Sequence, residues 1–228
     1  MDCSESGMEA SRFMDRLSET LVHVDEHLII FDKPAGLLCV PGRGADKQDC
    51  LSARAQAAYP DALVVHRLDM ATSGLCLMAR GAAMQRALSA MFADREIDKC
   101  YEAIVAGHPQ PPEPGGWSLI DLPIAADWPN RPLQIIDLHA GKPSQTRWRL
   151  VGREDGNASR LELEPLTGRT HQLRVHMNAI GHPILGDALY ARPDVQALAP
   201  RLLLHARELA FLHPGTGIPV RFSSPTPF

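Results

Sequence analysis

The chain has 228 residues, of which 45% are hydrophobic, and a formal net charge of −4. Such a chain can build a sizeable core in one large domain or in two small ones. No apolar run approaches the roughly 20 residues that span a bilayer, and the polar, acidic start differs from a secretory signal, so we expect neither a membrane protein nor an exported one.

The negative charge lies mainly at the start of the chain. Residues 1–26 hold seven acidic residues against two arginines, so the other 202 residues carry a net charge of +1. Residues 139–153 contain four basic residues, Lys142 and Arg147 among them, and no acidic one. This pattern is typical of a basic strip that binds phosphates or of a solvated face. The overall charge therefore does not exclude a nucleic-acid partner.

The cysteines and histidines lack the spacing of a metal site. The five cysteines are odd in number and scattered, without a CxxC pair, as expected in a reducing cytoplasm. His171 and His176 are five residues apart, unlike the i, i+4 pair that shares a helical face, and no HExxH occurs. We therefore expect no bound metal.

The predicted elements follow a polar leader. Residues 1–20 are rich in Ser and Glu with few apolar anchors, so we expect them to be loosely ordered. Beyond them, short apolar runs bounded by proline and glycine predict strands, and apolar residues at helical spacing predict helices. The predicted strands cover 28–31, 74–79, 101–106, 119–124, 145–151, 161–163, 202–211 and 220–222, and the predicted helices cover 52–59, 81–92 and the segment after Gly168.

The order of these elements favours an α+β fold. Strands are interrupted by only a few helices, without the steady βαβα alternation of a parallel sheet. We therefore predict a central mixed, largely antiparallel sheet flanked by helices and loops. Thr170 is the expected cap of the last predicted helix, and Gly181 is its expected end.

The most informative stretch is VHRLDMATSG at residues 65–74. Strand-like residues lead to Asp69, and small, hydroxylated residues then turn the chain before the next predicted strand. An acid at such a turn is held on a rigid scaffold yet can be reached from outside. Asp69 could therefore serve catalysis, or it could only accept backbone N–H groups within the turn.

Five motifs resemble those of the RluA-like pseudouridine synthases, and they occur in the family's order. They are DKPAGL at 32–37, HRLDMATSG at 66–74, KCYEA at 99–103, GRTHQLRVH at 168–176 and LLHA at 203–206. Segments 127–132, 182–187 and 199–206 further resemble the dual-specificity members, which lack an S4-like RNA-binding domain. The resemblance implies one pseudouridine synthase catalytic domain over 21–228, without an S4 domain or a cofactor. It implies uridine targets in 23S rRNA and in a tRNA anticodon stem-loop.

The resemblance also assigns roles to single residues. It makes Asp69 the catalytic residue, Arg174 its cationic neighbour and Tyr101 the tyrosine that stacks on uracil. Because a uridine must leave its stack to be reached, Arg67 would fill the gap or grip the adjacent phosphate. Further candidates for RNA contacts are Lys33, Lys142, Arg147, Arg169 and His171, and candidates for the pocket wall are Leu68, Leu203 and Leu204.

The single carboxylate in the motif is itself informative. Cleavage of a glycosidic bond usually employs two carboxylates, whereas uracil can leave as a delocalised anion, turn and be recaptured through C5. Asp69 would attack ribose C1′, add to the uracil ring or promote a glycal-type elimination, and each role needs an ionised carboxylate beside a cation.

Other functions are compatible with parts of the pattern. An RNA-binding module could keep the same fold without activity, and a synthase could have a single RNA target. A carbohydrate glycosidase would need a second carboxylate about 5–9 Å from Asp69. We expect the chain to be a monomer.

Overall fold

The structure is a computed structural model that describes residues 19–111, 113 and 115–228. The predicted leader at 1–20 lies outside the described residues except for its last two. None of the helices in this part of the chain is long and apolar enough to span a membrane.

The described residues group into two compact units. The first comprises the residues up to Ile97 together with Ala210–Ser224, and the second comprises Asp98–Leu209 with Pro225–Phe228. A single catalytic domain over 21–228 stays a prediction.

The first unit is built around two strands, β2 and β4, that are buried on both faces. Its strands are β1 (Leu21–Val24), β2 (Leu28–Lys33), β3 (Ala62–Val64), β4 (Ser73–Arg80) and β12 (Pro219–Ser223), and its helices are α1 (Leu51–Ala58) and α2 (Gly81–Ala93). β2 pairs antiparallel with β1 and with β4, and β3 pairs antiparallel with β4. Residues 28–31 and 73–79 are buried, which explains why they form continuous apolar runs instead of alternating with polar residues.

The second unit contains a longer antiparallel ladder. Its strands are β5 (Asp98–Ala106), β6 (Ser118–Asp121), β7 (Ile124–Ala126), β8 (Gln134–Ile136), β9 (Gln145–Glu154) and β10 (Ala158–Pro165), and its helices are α3 (Gln172–Ala179) and α4 (Pro193–Gln196). The ladder order is β5–β10–β9–β6, and β7 and β8 form a separate hairpin. Strand β11 (Leu204–Leu212) begins in this unit and ends in the first.

Two predictions about local structure are wrong. The single strand predicted at 119–124 is two strands, β6 and β7, which are separated by Leu122 and Pro123 and belong to different sheets. The cap of α3 is His171, with a left-handed φ of 55°, and not Thr170. Strands β3 and β8 and helix α4 were not predicted, since each has only three or four residues.

Candidate active site

Asp69 lies in the loop between β3 and β4 of the first unit. Its main-chain carbonyl accepts a hydrogen bond from Thr72 N–H (3.1 Å), which closes a turn directly before β4. Gly74 follows with φ +112°, a conformation that residues with a Cβ rarely adopt. Asp69 itself is partly buried. The turn is therefore formed by residues 69–72, and Gly74 takes its unusual backbone conformation at the start of β4.

The buried side chain of Lys33 stabilises this loop by hydrogen bonds. Its side chain is 0% exposed, and its ammonium donates to the carbonyls of Pro34 (2.8 Å), Leu37 (2.9 Å) and Met70 (3.2 Å). Gly36 N–H also donates to the Met70 carbonyl (2.8 Å). These hydrogen bonds make Lys33 part of the support of the Asp69 loop. Its predicted contact with RNA stays a prediction.

Sulfur and imidazole groups complete the support of the loop. Cys39 Sγ accepts Leu68 N–H (3.2 Å) and lies 3.9 Å from Cys76 Sγ. The hydrogen bond from Cys76, together with the Lys33 charge, lowers the pKa of Cys39 to about 7. His66 Nε2 accepts Leu77 N–H (2.9 Å), so this nitrogen carries no proton. Leu68, a predicted pocket residue, is 6% exposed.

Arg67 has a different environment from its neighbours in the sequence. It is exposed, and among the residues that the structure describes it has no ion-pair or hydrogen-bond partner. An arginine with an uncompensated charge next to the Asp69 turn can bind a phosphate or enter an RNA stack. Its predicted role thus agrees with its exposure.

Arg174 lies on α3 in the second unit and is 4% exposed. Its Nε and Nη2 donate to the two carboxylate oxygens of Asp187 (2.9 and 2.6 Å), and its guanidinium carbon lies 5.2 Å from the centroid of the Tyr190 ring. Asp187 is 1% exposed and also accepts the N–H groups of Leu189 and Tyr190. The bidentate pair fixes the orientation of the arginine fork.

A network around Gln172 sets the position of α3. Gln172 Oε1 accepts Thr167 Oγ1–H (2.7 Å) and Arg169 N–H (3.1 Å), while its Nε2 donates to the Gln145 carbonyl (2.9 Å) and to Thr146 Oγ1 (3.0 Å). One buried amide therefore joins the loop before α3 to strand β9. No side chain of the described residues caps the start of α3, and the Gln172 amide instead fixes the loop that precedes the helix.

His176 extends the network in the interior of the unit. It is 0% exposed, and its ring nitrogens bond Thr146 Oγ1 and the Leu122 carbonyl, both at 2.9 Å. Nε2 must donate to the carbonyl, so Nδ1 accepts from the hydroxyl. Burial lowers the pKa of His176 below its usual value. The ring is therefore a neutral structural group.

Tyr101 and the predicted leucine wall lie on strands or next to them. Tyr101 is half-buried on β5, opposite Leu163 of β10. Leu203 packs against a core cluster that includes Ile104 and Leu185. Leu204 is 3% exposed. The pocket-wall role of both leucines stays a prediction.

Four other residues predicted to contact RNA lie in the second unit. Lys142 is exposed, and Arg169 Nε donates to the carbonyl of the adjacent Pro143 (3.4 Å). Arg147 is 41% exposed, pairs with Glu164 (3.6 Å) and lies over the Trp117 ring (4.7 Å). His171 Nδ1 bonds the Tyr190 hydroxyl (2.7 Å). Lys142 and Arg169 thus share one exposed region.

No group of three or more His, Cys, Asp or Glu side chains among the described residues is arranged to hold a metal ion.

Comparison with known proteins identifies the type of site. A model of the family described as RNA pseudouridylate synthase matches residues 27–179. The chain belongs to this family. The match spans most of the chain and includes Asp69, Tyr101 and Arg174.

Similar RNA pseudouridylate synthases are known from several bacteria. The Dual-specificity RNA pseudouridine synthase RluA of Escherichia coli (strain K12) is 49% identical over 208 residues, which cover 91% of this chain and 93% of that protein. The protein of the same name from Yersinia pestis is 46% identical, with 91% and 99% covered. This RluA-like enzyme is therefore an isomerase that converts uridines in RNA to pseudouridine.

Solved structures confirm the fold class. Human RNA Pseudouridylate Synthase Domain Containing 1 has a TM-score of 0.74 and 29% identity, and the match covers 92% of this chain and 84% of that one. Human RNA Pseudouridylate Synthase Domain Containing 4 has the same TM-score at 23% identity and shares the fold. The predicted α+β pseudouridine synthase fold is thus confirmed.

The sequence analysis of this RNA pseudouridylate synthase did not single out Asp187, and it did not predict the burial of Lys33. Asp187 falls in the HPILGD segment, but nothing in the sequence indicates that it pairs with Arg174. Lys33 falls in a motif, but its burial depends on carbonyls from two separate segments.

Proposed function

We propose that this chain makes pseudouridine both in 23S rRNA and in a tRNA anticodon stem-loop, with Asp69 as the catalytic carboxylate. The observation that carries the proposal is the 45–49% identity, over 91% of the chain, to enzymes named for dual specificity. The rRNA and tRNA targets are those that the sequence motifs implied. A monomeric enzyme of the cytoplasm fits these substrates.

The reaction requires two bonds to break, C1′–N1 and C5–H, and two to form, C1′–C5 and N1–H. When the C1′–N1 bond breaks, its electron pair leaves with the uracil, and positive charge develops on the ribose. The ring then turns, C1′ bonds to C5, the C5 proton leaves, and N1 gains a proton. The product is an isomer of the substrate, so the balanced reaction consumes no oxidant, reductant or group donor.

Asp69 meets the requirement for a carboxylate on a rigid turn. In the proposed role its ionised oxygen stabilises or captures the ribose cation, adds to the ring or accepts a proton in a glycal-type elimination. The turn closed by Thr72 and the buried Lys33 ammonium limit the movement of the loop. Such preorganisation favours the geometry of the transition state.

Arg174 and Tyr101 are proposed to complete the site. Arg174 would keep the Asp69 carboxylate ionised, and its pair with Asp187 would hold the guanidinium in one orientation. Tyr101 would stack on the uracil, and its hydroxyl would help to remove the C5 proton. The support for this grouping is the resemblance of the motifs that contain the three residues.

Binding of folded RNA would use the exposed cations. Extruding the target uridine costs a few kcal/mol, and Arg67, exposed next to the Asp69 turn, is suited to offset this cost by occupying the gap. Lys142, Arg147 and Arg169 would neutralise phosphates, so binding should weaken with increasing salt.

The test is to map pseudouridine in total rRNA and tRNA from cells with and without this gene. We expect sites in 23S rRNA and in a tRNA anticodon stem-loop to lose the modification, and the wild-type gene to restore both. Loss in only one RNA would replace dual specificity with a single target. An unchanged map would contradict the proposal.

A further inference from the structure

The tip of the β7–β8 hairpin presents an aromatic ring to solvent. Trp128 is 69% exposed, whereas Trp148 is 6% exposed and Trp117 is half-buried. Among the Phe, Tyr and Trp side chains that the structure describes, Trp128 is the one in the exposed class. A large aromatic ring on a hairpin tip contributes little to a core, so its position needs another explanation.

A guanidinium covers one face of this ring. The Arg131 guanidinium carbon lies 3.4 Å from the ring centroid of Trp128, which is the distance of a stacked cation–π pair. Arg131 is exposed and forms no ion pair with a residue that the structure describes. Its charge is therefore not neutralised, and it leaves the other face of the indole open.

The backbone of the tip is held in place by hydrogen bonds. Asp127 N–H donates to the Leu133 carbonyl (3.0 Å), and Leu133 N–H donates to Asn130 (3.0 Å). The Asp127 carboxylate accepts the Asn130 side-chain amide (3.0 Å). The acid nearest to Trp128 is thus occupied within the turn, and the ring and the guanidinium are presented on a preorganised loop.

The hairpin is also joined to the basic region of the same unit. Ile124 of β7 exchanges two backbone hydrogen bonds with Lys142 (2.8 and 3.0 Å), and both Lys142 and Arg169 are exposed. Trp128 is four residues along the chain from Ile124. Exposed cations beside an open aromatic face form the combination that binds single-stranded nucleic acid.

We propose that Trp128 and Arg131 form a second RNA subsite, which stacks an unpaired base of the substrate on the indole and binds its phosphate through the guanidinium. The subsite acts in substrate selection and does not touch the reacting uridine. The inference rests on RNA being the substrate, as the family establishes. The charge of Arg131 favours an RNA segment as the occupant.

The test combines changes in the protein with changes in the RNA. A synthetic stem-loop that the wild-type enzyme modifies is prepared with one abasic nucleotide at each loop position in turn, the target uridine excepted. Each RNA is assayed with wild type, Trp128→Ala and Trp128→Phe. Thermal unfolding of each protein checks the fold, and Leu198→Ala, at an apolar residue 57% exposed in the same unit, is the control for removing exposed apolar surface.

One abasic position should identify the stacked base. Stacking of a base on an aromatic ring contributes about 1–3 kcal/mol, so Trp128→Ala should raise KM for the intact RNA roughly 5–100-fold with kcat nearly unchanged. At one loop position, the abasic nucleotide should raise KM for the wild type by a similar factor. The same abasic RNA should raise KM for Trp128→Ala little further. Trp128→Phe should retain most of the affinity, and Leu198→Ala should behave as wild type.

Arg131→Gln provides an independent readout. It should raise KM and reduce the dependence of log KM on log salt by about one phosphate contact. The proposal is overturned if Trp128→Ala keeps KM within twofold of wild type. It is also overturned if, at every loop position, the increases in KM caused by Trp128→Ala and by the abasic nucleotide are independent and multiply. Because the wild type must be active on the RNA for the assay to be run, failure of this subsite is distinct from failure of the proposed function.

Discussion

Replacing Lys33 by methionine tests whether this residue supports the Asp69 loop or binds RNA. Methionine keeps an unbranched apolar chain of similar length but removes the three hydrogen bonds to Pro34, Leu37 and Met70. A hydrogen bond from a charged donor contributes about 1.5–3 kcal/mol. Part of the loss is offset because a buried ammonium no longer has to be desolvated, a penalty of several kcal/mol.

The net loss of stability should be about 2–4 kcal/mol, which corresponds to a decrease in Tm of roughly 5–15 °C for a chain of this length. Because the Met70 carbonyl is adjacent to Asp69, kcat should fall as well. KM for RNA and its salt dependence should remain near wild type, since Lys33 is 0% exposed.

The matched control is Lys142→Met, at an exposed lysine. That variant should have the Tm of the wild type and a higher KM. The slope of log KM against log salt should decrease by about one phosphate contact. Differential scanning calorimetry and steady-state kinetics at three salt concentrations measure both signatures. If Lys33→Met kept the wild-type Tm and raised KM in a salt-dependent way, the structural role assigned to Lys33 would be refuted.

Two further predictions concern buried groups of the second unit. Asp187→Asn removes the negative charge that pairs with the buried Arg174 fork, so it should cost about 3–5 kcal/mol in urea denaturation and lower kcat; a stability equal to wild type would contradict the importance of the pair. Because burial lowers the pKa of His176, the unfolded chain takes up a proton below pH 6.5 that the folded chain resists, and stability should fall as pH decreases through this range. His176→Gln should be less stable at pH 7.5 but should lose less stability than wild type between pH 7.5 and 5.5, and equal losses would argue against a neutral, buried ring.

The motif around Asp69 could be predicted from the sequence, because its structure is local. A turn over residues 69–72 leads directly into strand β4, whose second residue, Gly74, has φ +112°. The position of Lys33 could not be predicted in the same way. A lysine at the end of a strand is normally solvated, and the burial of Lys33 depends on carbonyls that only the folded chain brings together.

The same distinction applies to α3. Its apolar spacing predicted the helix, and Arg174 was singled out by resemblance. The partners of the helix come from distant segments, since Asp187 lies in the next loop and Gln145 on β9. The sequence pattern alone predicted a cap at Thr170. In the structure, the buried side chain of Gln172 accepts the Arg169 N–H and so fixes the loop before the helix.

The most direct test of the central claim is the Asp69→Asn variant, assayed on RNA that carries tritium at C5 of uridine. Each turnover releases the C5 hydrogen, so tritium release measures the reaction. We expect Asp69→Asn to fold and to bind RNA within a few-fold of wild type but to release no tritium. The control Asp61→Asn, at an exposed carboxylate of the same unit that pairs with Arg80, should release it at the wild-type rate. Wild-type release by Asp69→Asn would contradict the assignment of this carboxylate as the catalytic group.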